Sequence, residues 1–298
     1  MDINHKDFIE TVHVRGVQIS LLASGDGTEI IYHKLNPGVR WALGPAEGWT
    51  ALEYLLVLSG ELRYPSDNGY KVLKPGDSFF KRPVTDYYIF QSNQTTEFLY
   101  ITSQPIFHHY SKASHDILDL ALTIEEKDGY TVDHCARINR FSMLIGEELG
   151  FNAKQLLILN KASFLHDVGK VKVPLSILQK PGKLTSEEWE IMKKHTIYGR
   201  ELLESTRLPV LIDAGVIVEQ HHERYDGKGY PYGLMKNEIS IEASIIAIVD
   251  SYDAMTTDRV YQKGKSKEEA LEEIFRCRGT MYDPDIVDIF LSLQSKIS

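Results

Sequence analysis

Cysteine is nearly absent: Cys135 and Cys277 are the only two in 298 residues, and they form no Cys-x-x-Cys pair. That argues against a disulfide framework or a thiolate zinc site and fits a reducing compartment. No run approaches the ~20 apolar residues of a membrane span, and the N-terminus is charged, without an apolar signal core. The chain is therefore expected in the cytoplasm, away from membranes. A basic excess is also lacking, since the formal charge is -9, so broad binding to a nucleic-acid polymer through released counterions is not expected. A small anionic substrate would need local cations. What is present, 43% hydrophobic and 25% charged residues, is the balance of a globular protein long enough for two domains.

Residues 1–105 read as all-β. Short apolar runs at Ile30-Ile31-Tyr32, Tyr54 to Leu58 and Phe98 to Thr102 alternate with turn signals at Asp26-Gly27, Pro37-Gly38, Ser59-Gly60, Asn68-Gly69 and Pro75-Gly76, the pattern of a small sandwich or barrel. Glu53 with Gly60, and Gly69 with Pro75-Gly76-Asp77, resemble parts of the two motifs of the cupin family, which implies a cupin-like barrel serving as a sensor domain. Where metal-binding cupins place histidines, this chain has Trp49, Thr50 and Ala51, then Phe79, Phe80 and Lys81, so no cupin metal site is expected. Trp41, Trp49, Phe79, Tyr87 and Tyr88 form either a pocket for an apolar or planar ligand or, more simply, core. Residues 106–130 read as a connecting helix that packs on its own domain or pairs with a second copy in a homodimer. His108, His109 and His115 are taken as surface residues.

From 131 to 298 the periodicity is that of an all-α domain, with helices expected near 131–149, 153–168, 185–205, 209–222, 240–257, 266–277 and 284–295. Polar groups lie on their apolar faces. His134 precedes Ile138, Phe141 and Ile145 by four, seven and eleven residues, helical spacing on one face. His166, His195, His221 and Asp250 continue apolar stripes on four further helices. One such histidine is usually a hydrogen-bonded core residue, but five helices doing the same need another explanation. Buried carboxylates without cations cost several kcal/mol, and divalent metals remove that cost. Imidazole and carboxylate donors without thiolates suit iron, manganese, zinc or nickel.

His166-Asp167 with Gly169-Lys170, His195, His221-His222-Glu223, the loop Asp226-Gly227-Lys228-Gly229-Tyr230-Pro231 and the run from Asp250 to Arg259 together resemble the HD-GYP family. Its members are bacterial cyclic di-GMP phosphodiesterases of the HD hydrolase superfamily. The resemblance implies two divalent ions, iron or manganese first, with zinc or nickel as alternatives. His134, His166, Asp167 and Asp250 would hold one ion; Asp167, His195, His221 and His222 would hold the other, with Asp167 bridging. Tyr130 stands where some members carry a glutamate for a third ion, so a dinuclear centre is expected.

Two such cations can activate a bridging hydroxide for in-line attack on a phosphodiester. Asp167 and Lys170 are the catalytic candidates, and Lys170, Tyr230 and Arg259 the substrate-binding ones. The expected reaction opens cyclic di-GMP to pGpG and continues to GMP, under regulation by the N-terminal domain. One alternative is a signalling module that docks through its Gly-Tyr-Pro loop on a diguanylate cyclase or another signalling protein with little turnover. Another is hydrolysis of a different cyclic dinucleotide.

Overall fold

The computed structural model describes residues 8–14, 16–45, 48–66, 69–127, 134–257 and 263–296. The chain divides into two compact units, Met1–Lys112 and Ala113–Ser298.

The first unit is all-β, with ten strands among the described residues: β1 Glu10–Val14, β2 Val17–Gly25, β3 Thr28–Leu35, β4 Arg40–Leu43, β5 Glu53–Ser59, β6 Leu62–Ser66, β7 Gly69–Leu73, β8 Ser78–Lys81, β9 Tyr88–Gln91 and β10 Thr96–Thr102. They form two antiparallel sheets, ordered β1-β2-β3-β10-β5-β8 and β4-β9-β6-β7. Strict alternation on β10 buries Thr96, Phe98, Tyr100 and Thr102, as the two-residue period of a strand with one inward face requires. Ile31 and Leu35 on β3 and Leu55 and Val57 on β5 complete that inner face. Glu29 closes the end of the unit: its buried carboxylate accepts hydrogen bonds from the backbone N–H groups of Ile106 and Phe107, both at 2.7 Å.

Of the aromatic set marked in the sequence, Phe79 is buried and Trp41, Trp49 and Tyr88 are half-buried. Trp41 lies 5.0 Å from Phe98, ring centroid to ring centroid, and 5.2 Å from Tyr100, while Phe79 packs on Tyr64, Tyr88 and Phe90. Tyr87 does not join them, being 77% exposed. His108 also departs from expectation: it is buried, in a short turn of 3-10 helix at Phe107–His109.

The second unit is helical: α1 Lys112–Lys127, α2 His134–Glu148, α3 Ala153–Leu165, α4 Leu175–Leu178, α5 Ser186–Lys193, α6 His195–Ser205, α7 Pro209–Gln220, α8 Ile241–Thr256, α9 Lys267–Arg276 and α10 Pro284–Ser292. The connecting helix is thus α1. Its residues from Ala113 onward belong to the second unit, and Ala121 and Ile124 are buried. α3 packs between α2 and α7, α7 against α6, and α2 against α8. α7 and α8 are apolar on most of their surface and lie in the middle of the unit, as such helices must. Side chains set the starts of several helices: Asn152 with Gln155, Thr185 with Glu188 and Ser266 with Glu269 form reciprocal capping boxes, and such a cap typically contributes about 1 kcal/mol.

The single helix expected over 185–205 is interrupted at Lys194, whose N–H turns back to Ile191 O at 3.2 Å in a tightened three-residue bond. The expected 153–168 helix stops at Leu165 and gives way to a 3-10 turn at Val168–Lys172. Both breaks lie at chemistry-bearing residues, where tertiary contacts override periodicity. Among the described residues, no helix is long and apolar enough to cross a membrane.

Candidate metal centre

Two groups of donor atoms converge inside the helical unit. Asp167, His195, His221 and His222 form one, and His134, His166 and Asp250 the other; within each group the donor atoms all lie within 4.8 Å of one another. His134 comes from α2, His166 and Asp167 from the end of α3, His195 from the start of α6, His221 and His222 from the end of α7, and Asp250 from α8. The carboxylate of Asp167 faces both groups, with Oδ2 3.3 Å from His166 Nε2 and Oδ1 3.4 Å from His195 Nε2. Asp250 Oδ1 stands 3.8 Å from His134 Nε2 and 4.0 Å from His166 Nε2.

The backbone fixes which nitrogen of each imidazole faces inward. Nδ1 of His166, His195 and His221 lies 2.9, 2.8 and 2.6 Å from the carbonyl oxygens of Ser163, Met192 and Val218, each three residues earlier. A carbonyl only accepts, so Nδ1 carries a proton in each, and Nε2 is the nitrogen that holds the lone pair when the ring is neutral. His134 has a carboxylate in that place: its Nδ1 lies 2.7 Å from Asp253 Oδ2, the orienting partner common behind metal-ligating histidines. Arg137 in turn donates to both oxygens of Asp253, at 2.5 and 2.9 Å.

Burial adds its own constraint. Nε2 of His166, His195 and His221, and Oδ1 of Asp167, are buried without a hydrogen-bond partner. Each such atom costs about 1–3 kcal/mol, so four of them converging on one spot is a large penalty unless something else occupies their lone pairs. Donors held about 2.1 Å from a common ion stand within roughly 4.2 Å of one another; a contraction of about half an ångström therefore closes either group on an ion. The residues fit divalent metal by geometry and donor type.

The electrostatics favour the ligating forms of His195, His221, His222 and Asp167. Burial lowers His195 to about 3 and His221 to about 4, and depresses His222 as well, so these imidazoles are neutral at physiological pH. His166 moves the other way, to about 9: burial would lower it, but the carboxylates of Asp167 and Asp250 more than offset that. Asp167 is held well below the usual carboxylate range; burial opposes this, and Lys170 and His166 outweigh it.

Lys170 lies 2.8 Å from Asp167 Oδ2 with its side chain only 11% exposed. A nearly buried cation thus sits directly on the Asp167 carboxylate. Gly169 makes the approach possible, because a Cβ there would collide with the backbone of His195 and Gly199. The 3-10 turn therefore lies flush on α6 and brings Asp167 to His195.

Tyr230 stands beside the second group, its ring 4.9 Å from His222 and 6.5 Å from His195. Its phenol is raised by burial and by the Asp167 carboxylate, which keeps it neutral. The loop carrying it is clamped by Glu223, whose Oε1 accepts from the N–H groups of Tyr232 and Gly233 at 2.7 and 3.1 Å. Gly229 is required there because a Cβ would stand 2.5 Å from Glu223 Cα. Glu219, paired with Arg200, accepts from Tyr232 Oη at 2.6 Å. Arg259 and Tyr130, named from the sequence, lie outside the described residues.

Sequence reasoning missed Asp253, Arg137 and Glu219, and saw Glu223 only as part of a motif. Asp253 carried a usable signal, since it follows Asp250 by three residues on α8 and so shares a face with it.

A family model described as the HD domain matches residues 120–286. A cyclic di-GMP phosphodiesterase of Thermotoga maritima is 39% identical over 198 residues, which cover 66% of this chain and 54% of that protein. A 3'3'-cGAMP-specific phosphodiesterase of Vibrio cholerae is 36% identical over 175 residues, covering 59% of this chain and 34% of that one. The chain thus spans about half or less of the length of these relatives. Over 31% of the chain there is a similarity to the whole of a solved cupin domain from an XRE-family transcriptional regulator of Enterobacter cloacae, at 20% identity and a TM-score of 0.27.

Proposed function

The chain belongs to the HD-domain family, and from that premise we propose that it is a metal-dependent phosphodiesterase that hydrolyses a cyclic dinucleotide, cyclic di-GMP first. The observation that carries the proposal is the convergence on one buried point of the two-faced Asp167 carboxylate and of Nε2 of His166, His195 and His221, where these nitrogens and Asp167 Oδ1 have no hydrogen-bond partner. His134, His166, Asp167 and Asp250 would hold one ion, and Asp167, His195, His221 and His222 the other. Bound there, two divalent ions supply Lewis acidity and a water activated at neutral pH. The histidine and aspartate donors, with no thiolate, favour iron or manganese, with zinc or nickel as alternatives.

The chain's own residues do the rest. Asp167 aligns the two ligand groups through its two oxygens. Lys170 keeps an ammonium group beside that carboxylate, where it offsets the negative charge of an incoming phosphate. Tyr230 contributes a neutral hydroxyl and a ring at the edge of the site, and Arg259 provides a second cation for phosphate. An oxygen–phosphorus bond forms from water, the bond from phosphorus to the 3′ oxygen breaks, and that oxygen leaves as an alcohol carrying a proton originally on water. The first product is then pGpG, and a second hydrolysis gives GMP. On this reading the N-terminal barrel regulates turnover.

The similarity to a relative named for 3'3'-cGAMP favours a second reading in which the hybrid dinucleotide is preferred. The test is product chromatography after incubation with each dinucleotide, comparing wild type with Asp167→Ala. Cyclic di-GMP should be opened by wild type and not by the variant. Exclusive cleavage of the hybrid supports the second reading, and cleavage of neither refutes both.

A further inference from the structure

Trp189 on α5 leaves 46% of its surface exposed. A large aromatic surface left in water is unfavourable unless something else covers it. Nor does this side chain anchor its helix through a buried core contact, because α5 has no buried residue. The helix is fixed instead at its start, by the Thr185–Glu188 capping box and by Lys180, whose Nζ lies 2.5 Å from Glu188 Oε2. The indole is thus presented on a defined scaffold.

Its surroundings connect it to the metal centre. The indole meets the Tyr230 ring at 6.1 Å and 80°, and Tyr230 lies 4.9 Å from His222 with a tilt of 35°. Two ring-to-ring steps therefore lead from an exposed flat surface to a proposed metal ligand, a span a single nucleotide can bridge between its phosphate and its base. Lys193, one helical turn after Trp189, places Nζ 5.9 Å from the Tyr230 ring and 2.7 Å from Glu190 Oε1, so the same wall carries an ion pair. A half-exposed indole beside the proposed phosphate-handling centre matches the chemistry by which proteins hold unpaired nucleobases.

Resting on the phosphodiesterase reading, we propose that Trp189 is the platform on which one purine base of the cyclic dinucleotide stacks while the phosphate of that nucleotide lies at the metal centre. Tyr230 stands between the two and keeps the base from sliding onto the ligands. An aromatic ring under a base contributes roughly ten- to a hundred-fold in affinity.

The test compares wild type, Trp189→Ala and Trp189→Phe, all as the full chain loaded with manganese. Trp189→Ala should raise KM for cyclic di-GMP by that factor, with kcat within about threefold and metal content unchanged. Trp189→Phe should restore most of the KM, because a flat ring remains. A KM within twofold of wild type in the alanine variant overturns the proposal, as does a loss confined to kcat or metal content that phenylalanine fails to rescue. If wild type cleaves no cyclic dinucleotide, the phosphodiesterase reading fails separately. Tryptophan fluorescence then decides the platform: quenching by cyclic di-GMP in wild type that disappears in Trp189→Phe supports it, and quenching absent from wild type or equal in both overturns it.

Discussion

Replacing Asp253 by asparagine removes one charge and keeps the shape. The side chain is only 2% exposed and sits between His134 and Arg137. Burial alone would raise its pKa, but these two partners bring it down from 3.8 to about 2. A depression of that size corresponds to about 2 kcal/mol of folding stability at neutral pH. The sign follows from proton counting: between the two pKa values the unfolded chain binds the proton and the folded chain does not. The contribution is therefore complete above about pH 4 and lost as pH falls through 2. Urea unfolding of metal-free protein, followed by helical circular dichroism, should show Asp253→Asn less stable by about 2 kcal/mol, with the gap constant from pH 7 to pH 5. The variant should also bind metal about 10- to 100-fold more weakly at the His134, His166 and Asp250 group, because His134 loses its carboxylate partner. A gap below about 0.5 kcal/mol, or one that widens steadily as pH falls from 7 to 5, would refute this assignment.

Three other perturbations give separate readings. His33, buried against Phe98 in the barrel and lowered to about 3 by desolvation, stays neutral when folded and gains a proton when unfolded; the barrel should lose about 1.4 kcal/mol per pH unit below pH 6.5, and His33→Leu should flatten that slope in acid denaturation curves. Gly169→Ala sets a methyl group against the His195 carbonyl and should cost at least about 3 kcal/mol, seen as a lowered Tm together with loss of metal from the His195 group. Glu223→Ala removes the acceptor of two loop N–H groups and should cost about 1–3 kcal/mol; KM should rise while metal content holds, and metal loss instead would show that the loop supports the ligands.

The legible parts of this chain were those whose sequence pattern matches a local physical need. Histidines on apolar helical faces stood out because water-loving groups do not belong there, and the residues chosen on that ground as ligands fall into the two donor groups. Turn signals such as Asp26-Gly27 marked the strands, but pairing β10 between β3 and β5 depends on contacts distant in sequence. The partners of Nδ1 on His166, His195 and His221 are backbone carbonyls, which every residue has, so no residue type announces them. Arg137 carries no sign of its role in the sequence, because its partner Asp253 lies 116 residues away. The break at Lys194 was invisible because Trp189, Met192, Gly199 and Leu202 keep helical spacing across it.

Asp167 is proposed to join two ions into one centre. Electron paramagnetic resonance of the manganese-loaded protein tests it most directly, with metal content measured on the same sample. The account predicts two equivalents of manganese and an exchange-coupled spectrum, replaced in Asp167→Ala by isolated ions or none. A wild-type protein that saturates at one equivalent with an uncoupled six-line signal would contradict it.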